Sequence, residues 1–175
     1  VPHSVLLSML KAVWFALPAY IANASPVVLA RVLKRRHPLD MGAKFVDGKR
    51  VLGDSKTIEG FVFGISMGFL TGLVQGMLVD GVWVHVLRGF VLGFGAMVGD
   101  SLGSFIKRRM GLRPGQPAPL LDQAMFIAVA LLFAYMAKLY PLTMFQTIFL
   151  LVFTPVLHIV SNVFAYILKL KDVPW

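Results

Sequence analysis

The chain has 175 residues, 58% hydrophobic and only 14% charged, and its 17 Lys and Arg against 8 Asp and Glu give a formal charge of +9. A mean hydropathy of +0.79 excludes an ordinary soluble globule, since soluble domains rarely exceed about half apolar residues; the basic excess lies beside apolar runs, which points to membrane topology and away from nucleic acid. With no cysteine, disulfides, thiolate metal sites and cysteine nucleophiles are excluded too.

A bilayer-crossing helix needs about 20 mostly apolar residues. Five stretches reach that length, at roughly 4–30, 58–79, 82–105, 121–140 and 142–168. None alternates as a barrel strand would, and helix satisfies its own backbone in lipid. The fold class expected is therefore all-α, an integral membrane protein of about five transmembrane helices, forming a single membrane-embedded domain over 1–175. The first span is expected to be retained, because it is too long for a cleaved signal and lacks a basic leader. Spans two and three are joined at Asp80-Gly81, and Pro141 separates spans four and five. In span two glycine recurs every fourth residue (Gly60, Gly64, Gly68, Gly72, Gly76), and span three carries Gly89, Gly93, Gly95, Gly99 and Gly103. Such a smooth ridge predicts close helix packing.

Charge sets the orientation. Arg31, Lys34, Arg35, Arg36, Lys44, Lys49, Arg50 and Lys56 fall in the first long loop, Lys107, Arg108, Arg109 and Arg113 in the second, and Lys169 and Lys171 in the tail. Only Lys11, Arg88 and Lys138 lie toward the other side. By the positive-inside rule both long loops and the C-terminus are cytoplasmic and the N-terminus is outside. Localisation is then a multi-pass cell-membrane protein with its polar loops facing the cytoplasm.

Loop one, residues 38–61, interleaves Asp40, Asp47 and Asp54 with Lys44, Lys49, Arg50 and Lys56, and adds Gly42, Gly48, Gly53, Ser55 and Thr57. A loop that is merely positive-inside explains the cations but not the alternating carboxylates and glycines. Glycine lets backbone N–H groups approach phosphate, cations neutralise it, and carboxylates hold Mg²⁺. Ser55, Lys56 and Thr57 sit where span two begins, a natural anion site at a helix N-terminus. Asp100 ends span three and Asp122 opens span four, so the two carboxylates can converge on one metal. The plainer alternatives are an ion pair from Asp100 to Lys107 or Arg108, and a helix-capping or dipole role for Asp122. His158 and Asn162 share a face of span five, after a Pro155 expected to kink it. They line a cavity or bond to a neighbouring helix. His3, His37 and His85 have no zinc spacing, and Arg88 and Lys11 suit snorkelling or structural pairing.

Three segments together carry a family resemblance. Ser55-Lys56-Thr57-Ile58-Glu59-Gly60, then Gly99-Asp100 with Ser104 and Lys107-Arg108, then Leu121-Asp122-Gln123 resemble the membrane-bound CTP:phosphatidate cytidylyltransferases. Gln123 stands where that family usually has Arg, and a proline-rich stretch replaces its glycines before Asp122. The chain is more similar to the small archaeal branch of CDP-archaeol synthases. There the likeness extends to Asn23-Ala24-Ser25-Pro26, Pro38-Leu39-Asp40, Asp47-Gly48-Lys49-Arg50, the run 114–123 and the tail 170–175.

The resemblance implies transfer of CMP from CTP to a membrane lipid phosphate, an unsaturated archaeal ether lipid, with release of pyrophosphate. It implies Mg²⁺ held by Asp100 and Asp122, with Lys56 the third catalytic residue. Asp47, Arg50, Asp54, Ser55, Thr57, Ser104, Lys107 and Arg108 are the implied substrate-binding set. Asn23, Lys44, His158 and Asn162 are cavity-lining candidates. The implied partners are CTP, a lipid phosphate and the membrane, not nucleic acid, and a homodimer is compatible with the sequence. Two rival functions are a CTP-dependent polyprenol kinase and an anion transporter; the short outer connections and sparse outer polar residues disfavour the latter.

Overall fold

The computed structural model describes residues 2–113, 116, 118 and 121–169. Pro114, Gly115, Pro117, Pro119, Leu120 and the tail 170–175 lie outside the described residues. The described chain forms five helices and no sheet: α1 (Pro2–Val32), α2 (Ile58–Leu78), α3 (Val82–Arg109), α4 (Leu121–Met136) and α5 (Met144–Ile167). Four are long and apolar enough to cross a membrane, while α4 has 16 residues. The all-helical membrane fold expected from hydropathy is the one observed. Two boundaries differ. α3 runs to Arg109 rather than stopping near 105, because its basic last turn suits the negative helix end. Gly111 (φ 78°) then closes it, with Gly111 N–H donating to Arg108 O and Leu112 N–H to Lys107 O, the arrangement that terminates helices at a left-handed residue. α4 stops at Met136, before Lys138 turns left-handed (φ 56°) and Pro141 bars helix at the residue before it.

α2 and α3 meet backbone to backbone. A Cβ on Gly72 would lie 2.4 Å from His85 O, and one on Gly68 2.7 Å from Gly93 Cα. α3 turns a second glycine face to α4: a Cβ on Gly99 would lie 2.5 Å from Met125 O, and one on Gly95 2.7 Å from Ala130 Cα. So α3 is the central helix, and its glycines replace side-chain volume with main-chain contact. α1 presents a face of Ala12, Ala16, Ala19 and Ala22, all fully buried. α5 packs on α4 and α1 and is the helix least covered by its neighbours.

α1 also carries Pro18 and Pro26 within its length. Proline has no N–H, so the carbonyls four residues earlier, Trp14 and Ala22, lose their helical donor. Both are satisfied from side chains. The Gln75 amide, 2% exposed, donates to Trp14 O at 2.6 Å, and Ser25 Oγ donates to Ala22 O at 3.1 Å. This is how lipid-embedded helices tolerate proline.

Candidate active site

Loop one is a folded unit anchored at both ends. Pro38 and Thr57 form an antiparallel bridge, with Leu39 N–H to Lys56 O at 2.7 Å and Ile58 N–H to His37 O at 2.9 Å. Between them a tight hairpin pairs Lys44 with Arg50. Its core is Asp40, whose side chain is 1% exposed. Asp40 Oδ1 accepts from Arg50 Nη2 (2.6 Å) and Gly42 N–H (3.1 Å). Oδ2 accepts from Arg50 Nε (3.2 Å), Leu52 N–H and Gly53 N–H (both 2.9 Å). Burial alone would raise this carboxyl's pKa. The Arg50 guanidinium and the amides of Gly53, Leu52 and Gly42 outweigh it and hold the group well below the usual carboxylate range. Gly53 reaches this contact at φ 92°, a backbone region that disfavours other residues.

The turn delivers Lys56 and Thr57 to the start of α2. Thr57 is the N-cap, its Oγ1 accepting from Gly60 N–H at 3.2 Å. Glu59 in the first turn accepts from His37, ring Nδ1 at 2.6 Å and N–H at 2.9 Å. The donors of this helix start are thus partly taken within the chain, while the positive end of its dipole stays near Lys56.

Two ion pairs stand at this end of the bundle. Lys56 Nζ lies 2.5 Å from Asp100 Oδ2, and Lys107 Nζ lies 2.5 Å from Asp122 Oδ1. Asp122 Oδ2 also accepts from Ala118 N–H at 2.8 Å, capping the approach to α4. Asp100 pairs with Lys56 across 44 residues, not with its helix neighbours Lys107 or Arg108. All four side chains face one cavity of ≈ 700 Å³. None is more than 31% exposed and none is fully buried, so a ligand can reach them.

The cavity gathers Asn23 and Tyr20 of α1, Arg36 from the segment between α1 and loop one, Ser55, Lys56 and Thr57 of loop one, Asp100 and Ser101 of α3, and Lys107, Gln116 and Asp122. Thr154, His158, Ser161 and Asn162 complete it from α5, and Met97, Phe61, Phe126, Val27 and Leu157 supply apolar wall. α5 stays helical through Pro155. Along it, Asn162 Nδ2 and His158 Nδ1 are 3.2 Å apart, and Tyr20 Oη and Thr154 Oγ1 share a 2.8 Å hydrogen bond. Arg36, Lys56 and Lys107 against Asp100 and Asp122 leave one excess positive charge in the lining, so an anionic ligand fits and an isolated cation does not.

Of the residues singled out from sequence, Lys56, Asp100, Asp122, Ser55, Thr57, Lys107, Asn23, His158 and Asn162 line this cavity. The rest stand elsewhere. Arg50 is engaged by Asp40 and, at 2.9 Å, by Asp54. Asp47 pairs with Arg109 at 3.1 Å. Lys44 lies exposed in the hairpin. Ser104 is 3% and Arg108 8% exposed; the Arg108 side chain lies against Gly53 and donates to Arg113 O at 3.2 Å. Arg36, Ser101, Gln116, Tyr20 and Thr154 were not singled out. In sequence Arg36 reads only as a topology charge. Thr154 stands four residues before His158, a helical spacing by which it could have been found.

Asp100 and Asp122, each held by a lysine, are the carboxylates that could hold a hard cation arriving with phosphate ligands, because Mg²⁺ typically takes one or two protein carboxylates and completes its shell with water and substrate phosphates. Among the described residues no cluster of three or more His, Asp or Glu offers an all-protein cage.

A family model described as CarS-like, CDP-archaeol synthase, matches residues 5–175. The CDP-archaeol synthase of Thermococcus gammatolerans is 48% identical over 174 residues, covering 97% of this chain and 98% of that protein. The CDP-archaeol synthase of Methanocaldococcus jannaschii is 43% identical over 178 residues, covering 95% of this chain and 97% of that protein. The chain is also similar to a solved structure of an intramembrane enzyme for archaeal membrane lipid biosynthesis. The two share 39% identity with a TM-score of 0.79, over 89% of this chain and 94% of the other.

Proposed function

This chain belongs to the CDP-archaeol synthase family, and from that premise we propose that it transfers CMP from CTP to a lipid phosphate in the bilayer, releasing pyrophosphate. The lipid phosphate we propose is digeranylgeranylglyceryl phosphate. The observation that carries this reading is the convergence of the Lys56–Asp100 and Lys107–Asp122 pairs on one cavity at the end of a membrane bundle. Such a site faces water for a nucleotide and hydrocarbon for a lipid.

The chemistry needs little from side chains. A phosphate monoester has a second pKa near 6 and is largely a dianion at neutral pH, so it attacks the α-phosphorus without a general base. The barrier is bringing two anions together, and catalysis is positioning and charge neutralisation. Lys56, at the positive end of α2, and Arg36 neutralise the triphosphate. Lys107 holds the incoming lipid phosphate. Ser55, Thr57 and Ser101 add hydroxyls. Asp100 and Asp122 would hold Mg²⁺, which when bound supplies charge neutralisation on phosphate oxygens and a template for them. His158, Asn162 and Asn23 line the neutral part of the cavity, beside the apolar wall where lipid chains stay in the bilayer. The loops face the cytoplasm of a cell-membrane protein, where CTP is available.

Purified protein in lipid, given CTP, Mg²⁺ and the lipid phosphate, tests the reading. Label from the α-phosphate should enter the lipid and γ-label should enter pyrophosphate. Finding γ-label in the lipid would instead identify a CTP-dependent kinase.

A further inference from the structure

We infer that Asp40 and Arg109 are positioning residues for the cytidylyl transfer proposed above, acting together to set Lys56 against Asp100. Neither lines the cavity. Asp40 is the internal knot of loop one. Five donors converge on its two oxygens, and two of them, Leu52 and Gly53, lie just before the segment that carries Ser55, Lys56 and Thr57. Gly53 O in turn accepts from Lys56 N–H at 3.4 Å. The lysine therefore hangs from a turn whose other end is fixed by Asp40.

Arg109 fastens that knot to α3. Its Nη2 donates to Arg50 O at 2.5 Å and its Nη1 lies 3.1 Å from Asp47 Oδ1. Its guanidinium lies 4.9 Å from each of the Phe45 and Phe105 ring centroids, one ring from the loop and one from the helix. Lys49 Nζ returns a contact to Arg109 O at 3.2 Å. A planar guanidinium that donates to one carbonyl, ion-pairs with one carboxylate and lies over two rings has no lysine equivalent. Because α3 also carries Asp100, the clamp makes the Lys56–Asp100 separation a property of one body.

The inference rests on the cytidylyltransferase reading, and its test separates the two. Wild type, Asp40→Asn and Arg109→Lys are compared in three measurements: turnover with separate KM values for CTP and lipid phosphate, trypsin cleavage after Lys49, Arg50 and Lys56, and thermal unfolding. Loosening a positioned group by about 1 Å can cost about 100-fold in rate. The expected result is a kcat lowered by about 30- to 100-fold with KM for the lipid phosphate within about threefold of wild type. Loop cleavage should be faster by at least about tenfold, with Tm within about 5 °C, as for local opening of one segment. A general loss of structure would not split kcat from KM in this way.

Full turnover in variants with fast loop cleavage would overturn the inference. So would lost turnover with wild-type resistance to trypsin, since Asp40 would then act on a ligand directly. Should Asp40→Asn not fold, Arg109→Lys, which keeps the charge and the Cys-free helix bundle, decides the question by the same criteria. A wild-type protein that makes no CDP-lipid refutes the transfer reading, whereas the loop and stability measurements still report on the clamp.

Discussion

Lys56 and Asp100 lie 44 residues apart in sequence and 2.5 Å apart in space, joining the segment just before α2 to the C-terminal half of α3. Farther along the two helices a glycine seam holds them at main-chain contact, at Gly68 with Gly93 and Gly72 with Gly89, so the geometry of the pair is inherited from the helices as much as from the loop.

Asp100→Asn and Asp122→Asn should each lower turnover by at least about 100-fold, because the amide keeps the shape but not the charge that holds a hard cation. Each also frees a lysine from its ion pair. These side chains are partly solvated, so the stability change should stay within about 1 kcal/mol. Activity assays beside thermal unfolding check this, and a third of wild-type activity retained in both variants would refute the metal assignment.

Sidedness is tested with single cysteines in a chain that has none. Val46 is 94% exposed in loop one, Met110 62% exposed beyond α3, and Trp83 83% exposed at the opposite end of α3. Cysteine at 46 and 110 should react with an impermeant reagent from the cytoplasmic face, and cysteine at 83 from outside. Reaction of 46 and 110 from opposite faces would contradict both the topology and a shared site.

Gly72→Ala should be among the most damaging substitutions outside the cavity. Its new carbon would lie 2.4 Å from His85 O and 2.8 Å from Gly89 Cα, both main-chain atoms that cannot rotate away. Separating α2 from α3 should cost roughly 1–3 kcal/mol. Gly42→Ala meets nothing within 4 Å, and only its left-handed backbone (φ 84°) opposes it, at about 1 kcal/mol. Unfolding in detergent should rank the two in that order.

The Asp40 carboxyl gives a pH signature. Its folded pKa lies below its unfolded one, so the folded state binds fewer protons at that site. The stabilisation is full above the unfolded value near 4 and is lost as pH falls through the lower, folded value. Asp40→Asn should lower Tm by about 5 °C at neutral pH. That gap should hold down to about pH 5, begin to narrow below about pH 4 and close only as pH falls through the lower, folded value. A gap that persists unchanged at pH 3 would show that the charge is not what matters.

Hydropathy made the helices legible because lipid leaves the chain few alternatives, and the spans at 58–79 and 82–105 began where α2 and α3 begin. It places the end of α3 too early, near 105, since the apolar run gives way there to Lys107, Arg108 and Arg109 while the helix continues through them. The cavity carboxylates could be found because a charge at a span end is costly and few were present. The interleaved charges of loop one were harder. Asp40, Asp47 and Asp54 look equivalent in sequence, yet five donors enclose the first and the others meet arginines at the rim. Nothing in residue type separates a carboxylate that binds a ligand from one that binds its own loop; only the count of nearby amides does. Arg36 was hidden for the opposite reason, as one of several cations in a run that topology already explained.

Pro18 in α1 has a consequence for how the protein is made. α1 leaves the ribosome before α2, with the Trp14 carbonyl deprived of its helical donor by Pro18. In hydrocarbon that carbonyl is an unanswered acceptor until Gln75 arrives on the next helix. Pairing of α1 with α2 therefore relieves a defect in the first helix at the earliest moment the nascent chain allows, which favours this contact over any wrong neighbour and orders assembly from the N-terminus.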